Sequence, residues 1–390
     1  MMDIERLRRD TPGTGHVLHF NNAGAALMPQ PVLDAVNTHF QREALTGGYE
    51  AAGEAAAQHA AVYSSIATLI GAQASEIALV ENATVAWQLA FYAFAFQPGD
   101  RIITAQAEYA ANYVAYLQVA RKYGVKIDVV PNDESGALSV EALAGMISKR
   151  TKLISITHVP TNGGLVNPAE EIGKLAKAAG IPYLLDACQA VGQLPIDVDR
   201  IGCDILTATS RKYLRGPRGA GFLYVRDSLL QTLEPPMLDH HAAPWVAAGE
   251  YRVRPDARRF ENWENNIAGQ LGLGAAVDYT LALGQDAIWE RIQHLATRLR
   301  QRLGDITGVT IRDLGPNPCG IVTFTLDGTD LPKLKTDLRA EQINITVSDA
   351  ASTRLDMEAR GLAKLGRASV HCYNTEDEIE QFCTAVDRLK

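Results

Sequence analysis

The chain has 390 residues, of which 47% are hydrophobic and 21% charged, and its length allows two or three domains with a sizeable core. No run of about 18 apolar residues occurs, so the sequence argues against a membrane-spanning chain, and its composition argues against disorder. The 45 acidic residues outnumber 37 Lys and Arg, and the net charge of −8 opposes attraction to nucleic acid or to an anionic membrane surface.

The N-terminus and the cysteines bear on location and metal binding. Residues 1–10 mix both signs of charge and lack the apolar segment of a secretory signal, which predicts a cytoplasmic protein. The cysteines form no CxxC pair, so the sequence indicates neither a disulfide framework nor a zinc site, and we predict no bound metal. They are Cys188, Cys203, Cys319, Cys372 and Cys383.

Residues 75–226 alternate short β-rich runs with helical stretches, which predicts βαβ units and a mostly parallel sheet. One helix between two of these runs is clearly marked. Asn167 can cap it, Pro168 suits its first position and Gly180 fits its end. The predicted strands are 77–80, 101–104, 126–130, 153–158, 183–186 and 204–208.

The segment after about residue 285 has a different pattern. Apolar residues recur at spacings of three and four from Ile288 to Leu303, which predicts a helix. Strand-like runs and a final amphipathic helix follow, at 309–312, 321–326, 343–347 and from Glu376 onward. We therefore predict a large domain over 31–280, a smaller α+β domain over 281–390, and an N-terminal segment, 1–30, that joins the small domain.

Two charged residues follow neighbouring predicted strands. Asp186 ends the strand 183–186, and Lys212 follows the next strand along the chain. Ligands of open α/β sheets bind outside the carboxyl ends of the strands, so both side chains are expected to face one cleft. This pair suits pyridoxal phosphate (PLP), which a lysine holds as a Schiff base while an acid keeps its pyridine nitrogen protonated. A structural ion pair of Asp186 with Lys212 or with an arginine is the alternative.

The wider pattern resembles a known family. Asp186/Gln189 and Thr209/Lys212 match the D-x-x-Q and S/T-x-x-K pair of class V, or cysteine-desulfurase-like, enzymes of PLP fold type I, a group that includes selenocysteine lyases and isopenicillin N epimerases. The resemblance extends from residues 21–24 to residues 367–375. It implies a fold-type I PLP-dependent transferase whose large α/β domain has a mostly parallel central sheet, with a smaller α+β C-terminal domain. It also implies a homodimer with shared active sites.

The resemblance implies roles for the matching residues. Lys212 matches the Schiff-base lysine, Asp186 the partner of the pyridine nitrogen, and Gln189 the residue near the phenolic oxygen. Tyr109 matches the ring over the pyridine face, where many desulfurases have histidine; a tyrosine can stack there but cannot replace the acid/base function of imidazole. The other implied cofactor-binding residues are Ala83, Thr84, Thr161 or Asn162, Thr209 and Arg211.

On the substrate side, Arg367 matches the arginine that receives the substrate α-carboxylate, a role suited to a bidentate guanidinium, so an α-amino acid is the expected substrate. Asn22 and Glu264 are further candidates. Glu264 lies in the segment 260–266, which is expected to reach the partner subunit's site, at a position where desulfurases have a threonine that contacts phosphate. His240 and His241 could be ligands, but paired histidines in a loop are more often surface or packing residues.

Residues 344–366 contain no cysteine, although desulfurases carry in this segment a mobile cysteine that receives sulfur. We interpret Cys188 and Cys372 as packing residues. The sequence thus predicts an enzyme that removes the Cα proton of an amino acid, and foremost a β-eliminating C–S lyase that acts on a cysteine-derived substrate without a protein persulfide. An isopenicillin N epimerase-like epimerase, an aminotransferase and a non-catalytic binding protein of the same fold are the alternatives.

Overall fold

The computed structural model describes residues 2–390, and its largest element is a seven-stranded sheet. Gly221–Val225 runs antiparallel to both of its neighbours, and the other strand pairs are parallel. Across the sheet the order is Ile77–Val80, Gly221–Val225, Ile205–Thr209, Tyr183–Asp186, Thr151–Thr157, Arg101–Ala105 and Lys126–Val130.

The strands are buried on both faces because their side chains alternate between two apolar cores. Tyr183 and Leu185 belong to one core, whereas Leu184 belongs to the other. Strands buried in this way read as continuous apolar runs. The helices of the chain are Ile4–Arg9, Gln30–Thr46, Gly48–Glu54, Ala56–Ile70, Ala83–Tyr92, Ala110–Tyr123, Val140–Met146, Ala169–Ala179, Val198–Ile201, Asp227–Leu230, Ile267–Leu283, Gln285–Gly304, Leu331–Ala340, Arg354–Ala359 and Glu376–Leu389.

A second, four-stranded antiparallel sheet lies in the C-terminal part of the chain. Its order is Val309–Ile311, Ile321–Leu326, Lys364–Ser369 and Thr346–Asp349. The short strand Leu18–His19 pairs in parallel with Ile343–Asn344, so the N-terminal segment contacts this C-terminal part. A hairpin of Trp245–Ala247 and Glu250–Tyr251 completes the strands.

The structure confirms the predicted fold class, with three local differences. The antiparallel strand Gly221–Val225 was not predicted. The predicted strand 343–347 is two strands with different partners, because Ile345 separates the one that pairs with Leu18–His19 from the one that pairs with Lys364–Ser369. The third difference concerns the cap of the helix Ala169–Ala179.

That cap is Pro168, and Asn167 does not cap the helix. The Asn167 side chain instead donates from Nδ2 to the Thr157 carbonyl at 2.8 Å and accepts the Leu138 N–H at 3.3 Å. The predicted end at Gly180 is confirmed, since that residue has the left-handed backbone (φ 65°) that glycine adopts without strain.

The predicted domain boundary at residues 280/281 falls inside the helix Ile267–Leu283, whose C-terminal cap is Gly284. The division into domains therefore stays a prediction, and the end of this helix is a more suitable limit than its interior. None of the helices within residues 2–390 is long and apolar enough to cross a membrane.

Gly173 allows the helix Ala169–Ala179 to pack against the chain at Ile201, and this contact gives a test of the fold. A Cβ at Gly173 would lie 1.8 Å from the Ile201 carbonyl oxygen, whereas a Cβ at Gly145, also helical, would meet no atom within 4 Å. Alanine normally stabilises a helix interior relative to glycine by about 1 kcal/mol. We expect Gly173→Ala to destabilise the protein by about 1–3 kcal/mol because of overpacking, while Gly145→Ala leaves the stability equal or higher. Equal melting temperatures of the two variants would contradict this packing.

Candidate active site

A cavity of about 460 Å³ lies at the carboxyl ends of the parallel strands. Thr157, Asp186 and Thr209 end three of these strands, and all three line the cavity. The starts of two helices, Ala83–Tyr92 and Ala110–Tyr123, complete its wall. The other lining residues are Asn82, Ala83, Thr84, Val85, Tyr109, Asn112, Val159, Thr161, Cys188, Gln189, Arg211 and Lys212.

The Asp186 carboxylate is buried and is held by neutral donors. Its Oδ1 accepts the Cys188 N–H at 3.0 Å, and its Oδ2 accepts a hydrogen bond from Asn112 Nδ2 at 3.0 Å. No Lys, Arg or His nitrogen of residues 2–390 lies within 4.0 Å of Asp186 in an ion pair. The structural ion pair considered from the sequence is therefore absent, and the carboxylate stands ready for a cationic ligand group.

Lys212 follows the strand Ile205–Thr209 and brings its amine to the same cavity. Burial lowers the pKa of Lys212, the nearby Arg211 and Arg367 lower it further, and Asp186 opposes them. The neutral amine is the form of lysine that attacks a carbonyl group. The position and the lowered pKa together suit a nucleophilic lysine.

The start of the helix Ala83–Tyr92 forms an anion-binding end of the cavity. Asn82 caps this helix by accepting the Val85 N–H at 3.0 Å, and the first N–H groups of a helix have no partner within it. Thr84, Thr209 and Arg211 line the same cavity and carry hydroxyl and guanidinium groups. Hydroxyl, backbone N–H and guanidinium donors are a set suited to phosphate.

The remaining predicted cofactor residues divide into two groups. Tyr109, Thr161 and Gln189 line the cavity, and the buried Gln189 Oε1 has no hydrogen-bond partner within residues 2–390. Asn162 does not line it, because its Nδ2 turns away to the Thr353 hydroxyl at 2.9 Å. The sequence left Thr161 and Asn162 open, and the structure places Thr161 at the site.

A second cavity, of about 310 Å³, adjoins the first and shares Tyr109, Thr161, Gln189, Arg211 and Lys212 with it. Its outer wall consists of Ala23, Gly24, Thr346, Val347, Ser348, Asp349, Ser352 and Arg367. We refer to it as the substrate-side cavity. It brings together three remote parts of the chain: the N-terminal segment, the large sheet and the small sheet.

Arg367 is the buried cation of the substrate-side cavity. Its guanidinium donates to the Thr161 hydroxyl and, at 3.2 Å, to the Thr161 carbonyl, while its Nε is buried without a partner within residues 2–390. Burial lowers the pKa of Arg367 to about 10. No carboxylate of the described chain pairs with it, so the guanidinium is not part of a structural ion pair within residues 2–390. A substrate carboxylate can occupy that place.

Two predicted substrate residues lie elsewhere in the single chain. Asn22 is fully buried, donates to the Ser369 carbonyl at 2.7 Å and accepts from the Tyr373 hydroxyl, so it holds the N-terminal segment to the small sheet and does not line either cavity. Glu264 is exposed and also outside both cavities. The structure therefore does not bring Asn22 to either cavity, and the expectation for Glu264 depends on a partner subunit.

The two histidines and the two cysteines singled out from the sequence have separate surroundings. His241 Nε2 lies 3.2 Å from Glu261 Oε2, and the His240 ring packs on Trp263 with centroids 5.1 Å apart. Cys372 is buried in the core. Cys188, in contrast, lines the cofactor cavity as well as packing beside Asp186.

Sequence reasoning missed the contributions of Asn112 and Thr157 to the site. Thr157 ends the strand next to that of Asp186 and is in register with it. Its position at the end of a predicted strand is the sequence feature that could have identified it as a site residue. Asn112 is in the first turn of the helix Ala110–Tyr123 and reaches Asp186 from there. Only the orientation of that helix, which the sequence does not give, brings the two together.

The residues of the cavity fit PLP. One cavity brings together an amine, a buried carboxylate that pairs with no cation of residues 2–390, and a group of anion donors. These chemistries match the aldehyde, the pyridine nitrogen and the phosphate of the cofactor. The orphaned Gln189 Oε1 on the same wall is a further sign of a missing polar ligand. Lys212, Asp186 and the phosphate-binding group would hold the three parts.

The whole chain is similar to proteins of one known family. Residues 18–382 match the model of the family described as aminotransferase class-V. A probable cysteine desulfurase of Xylella fastidiosa is 32% identical, with 100% of this chain and 96% of that protein covered. The apo structure of a cysteine desulfurase from Thermococcus onnurineus superimposes with a TM-score of 0.91 at 27% identity, covering 100% of this chain and 98% of that one.

A cysteine desulfurase structure from Escherichia coli, at 22% identity, has the same fold, with a TM-score of 0.92 and coverage of 100% and 98%. The family model spans both sheets and every cavity-lining residue named above. The chain therefore belongs to the class-V aminotransferase family of PLP-dependent enzymes.

Proposed function

We propose that the protein is a C–S lyase that β-eliminates the sulfur substituent of a cysteine-derived amino acid without forming a persulfide on the protein. The observation that carries this proposal is the lining of the substrate-side cavity. The small-sheet segment that closes it contributes Thr346, Val347, Ser348, Asp349 and Ser352, and no thiol of the described chain is on its wall.

The cysteines are poorly placed to accept sulfur. Cys203, Cys319, Cys372 and Cys383 are buried, and burial raises the pKa of each thiol. Cys188 lines the cofactor cavity, but burial and the nearby Asp186 raise its pKa well above the usual value. A protonated thiol is a weak nucleophile, so none of these groups suits persulfide transfer.

The relatives named as cysteine desulfurases support a cysteine-derived substrate. Nothing in those comparisons favours an epimerase. An amino-acid substrate also agrees with Arg367, whose buried guanidinium has no carboxylate partner within residues 2–390 and can bind the α-carboxylate in a bidentate manner. We further propose a cytoplasmic enzyme, acting on a small molecule and not on nucleic acid.

In the proposed mechanism, Arg367 fixes the substrate carboxylate and thereby orients the bonds at Cα. PLP, when bound, supplies an electron sink for the negative charge that develops at Cα. Lys212 Nζ takes the Cα proton, as its lowered pKa allows. With PLP bound, Asp186 would hold the pyridine nitrogen in its protonated form, and the Tyr109 ring would restrict the cofactor's movement. The sulfur substituent then leaves from Cβ with the electron pair of the C–S bond and takes up the proton that Lys212 removed from Cα. Water hydrolyses the remaining fragment to pyruvate and ammonia.

Product analysis tests this function. The purified holoenzyme is incubated with cysteine, cystine and S-substituted cysteines, and pyruvate, ammonia, alanine and amino-acid stereochemistry are measured. We expect pyruvate and ammonia in equal amounts together with the released thiol. Alanine would identify desulfuration, stereo-inversion an epimerase, and a keto acid that retains the sulfur an aminotransferase; each of these as the main product contradicts the proposal.

Replacement of the anchoring amine tests the assignment of Lys212. We expect Lys212→Ala to abolish product formation and the covalent capture of cofactor by borohydride, because no other amine lines the cofactor cavity within residues 2–390. The fold should be retained, as judged by circular dichroism. Lys174→Ala removes an exposed lysine of the helix Ala169–Ala179 and serves as the control. Capture of PLP on a different lysine in peptide mapping would refute the assignment.

The family resemblance also leads us to propose a homodimer in which the segment 260–266 reaches the partner's cavity. The exposed Glu264 would then face an arginine such as Arg211 or Arg218. We expect a dimer in light scattering and a reduced PLP affinity for Glu264→Ala, whereas Glu250→Ala in the exposed hairpin leaves it unchanged. A monomer with full activity on dilution would exclude shared sites, and unchanged PLP affinity of Glu264→Ala would exclude this residue.

A further inference from the structure

We propose that Glu108 is a positioning residue for the cofactor: its buried carboxyl group fixes both the Asn112 amide that holds Asp186 and the backbone at Tyr109. Glu108 lies behind the cofactor cavity and does not line it. The proposal rests on the assignment of Asp186 and Tyr109 as cofactor contacts made above. It concerns the affinity for PLP, so it is independent of which bond of the substrate breaks.

Glu108 is 3% exposed and accepts hydrogen bonds from four donors. Its Oε1 accepts from the Tyr109 N–H at 2.7 Å, from Asn112 Nδ2 at 2.9 Å and from the Thr157 hydroxyl. Its Oε2 accepts from the Thr104 hydroxyl at 2.9 Å. These donors come from the ends of two parallel strands and from the start of the helix Ala110–Tyr123, so one carboxyl group ties three elements of the cavity together.

The Asn112 amide links Glu108 to Asp186. Its Nδ2 lies 2.9 Å from Glu108 Oε1 and 3.0 Å from Asp186 Oδ2. Because Nδ2 carries two hydrogens, it can donate to both carboxyl groups at the same time. Removal of Glu108 would leave the amide with one anchor and free it to turn away from Asp186.

Glu108 also fixes the residue that follows it. Tyr109 precedes the helix Ala110–Tyr123 and provides no side-chain cap for it. The Tyr109 N–H is bound by Glu108 Oε1, which sets the backbone direction from which the Tyr109 ring enters both cavities. The same carboxyl group therefore acts on two cofactor contacts.

The charge of this group is sensitive to pH. Burial, with a smaller contribution from the negative charge of Asp186, raises the pKa of Glu108 to about 7, and the hydrogen bonds from Thr157, Asn112 and the Tyr109 N–H oppose this rise. The other titratable groups that face it are Tyr116 and Tyr183, whose pKa values burial raises well above 10. Arg354 lines the neighbouring surface groove but pairs with Glu358 at 2.6 Å.

This raised pKa has a consequence for stability with a definite sign. The folded protein binds the Glu108 proton more tightly than the unfolded chain, in which the pKa is near 4.5. The stabilisation is complete below about pH 4.5 and is lost as the pH rises through about 7. The wild-type apoprotein should therefore lose stability between pH 5 and pH 8 relative to Glu108→Gln, which has no proton to lose.

The experiment titrates PLP into apoprotein and follows the cofactor's absorbance band. We expect Glu108→Ala to raise the PLP Kd by about tenfold or more, because the loss of a hydrogen bond to a charged group changes a dissociation constant by about this factor. Glu108→Gln should stay within about threefold of wild type, because its carbonyl oxygen keeps the three donors at Oε1 and its amide can donate to Thr104. Rescue by glutamine but not by alanine is the signature of positioning.

Glu76 provides the matched control. It is also a buried carboxyl group, and it accepts backbone N–H groups of Gln73 and Asp227 at 3.0 and 2.9 Å, away from both cavities. Glu76→Ala should lower the melting temperature without changing the PLP Kd. A similar loss of PLP affinity in Glu76→Ala and Glu108→Ala would show a general effect on folding and overturn the proposal.

Two further readouts keep the proposal falsifiable if Glu108→Ala does not fold. Asn112→Ala, which removes the shared amide, should also raise the PLP Kd, and an unchanged Kd would overturn the link through Asn112. The melting temperature of Glu108→Gln minus that of wild type should increase from pH 5 to pH 8. A difference that is constant with pH would overturn the assignment of a titrating carboxyl group at this position. Failure of the lyase assay alone would leave all of these results intact.

Discussion

The active site depends on one constraint: the Asp186 carboxylate is buried and is satisfied by neutral donors alone. Burial of an ionised group costs several kcal/mol unless a partner compensates it. Here the Asn112 amide and the Cys188 N–H provide part of that compensation, and no cation of the described chain provides the rest. A cationic ligand group that binds here therefore meets a carboxylate that has already lost its water on folding, so binding does not add that desolvation cost.

The same separation of charge recurs on the substrate side. Arg367 is buried against neutral oxygens of Thr161. Lys212 shares one cavity with Asp186 and the other with Arg367, and it has no ion-pair partner in residues 2–390. If Asp186 had paired with Lys212 or Arg367, this internal ion pair would compete with the binding of any zwitterionic ligand. The fold keeps Asp186 and Arg367 apart by placing Asp186 on the large sheet and Arg367 on the small sheet. The Ala110 N–H donates to the Ser352 carbonyl at 3.0 Å and connects these two parts beside the site.

How much of this could be read from the sequence follows from the range of the interactions. Asp186, Thr209 and Lys212 were found because a strand end is a local signal, and parallel strands bring their carboxyl ends to one edge. Asn22 was misplaced because its partners Ser369 and Tyr373 are some 350 positions away, and no local pattern encodes that burial. Asn167 has the composition of a cap, but its amide satisfies the Thr157 carbonyl instead.

The role of Glu108 was also not predictable from the local sequence, because its burial depends on remote parts of the chain. A glutamate before an aromatic residue at a helix start resembles an ordinary solvated first-turn acid, whose negative charge favours the helix dipole. Its burial arises only when the strands Arg101–Ala105 and Thr151–Thr157 lie side by side, so that the Thr104 and Thr157 hydroxyl groups reach it. Water does not reach a carboxyl group buried in this place, so four hydrogen-bond donors of the protein take the place of water. Three of those donors belong to residues of the cavity wall, namely Tyr109, Asn112 and Thr157. The Glu108 carboxyl group that holds them is also sensitive to the negative charge of Asp186, on the other side of Asn112.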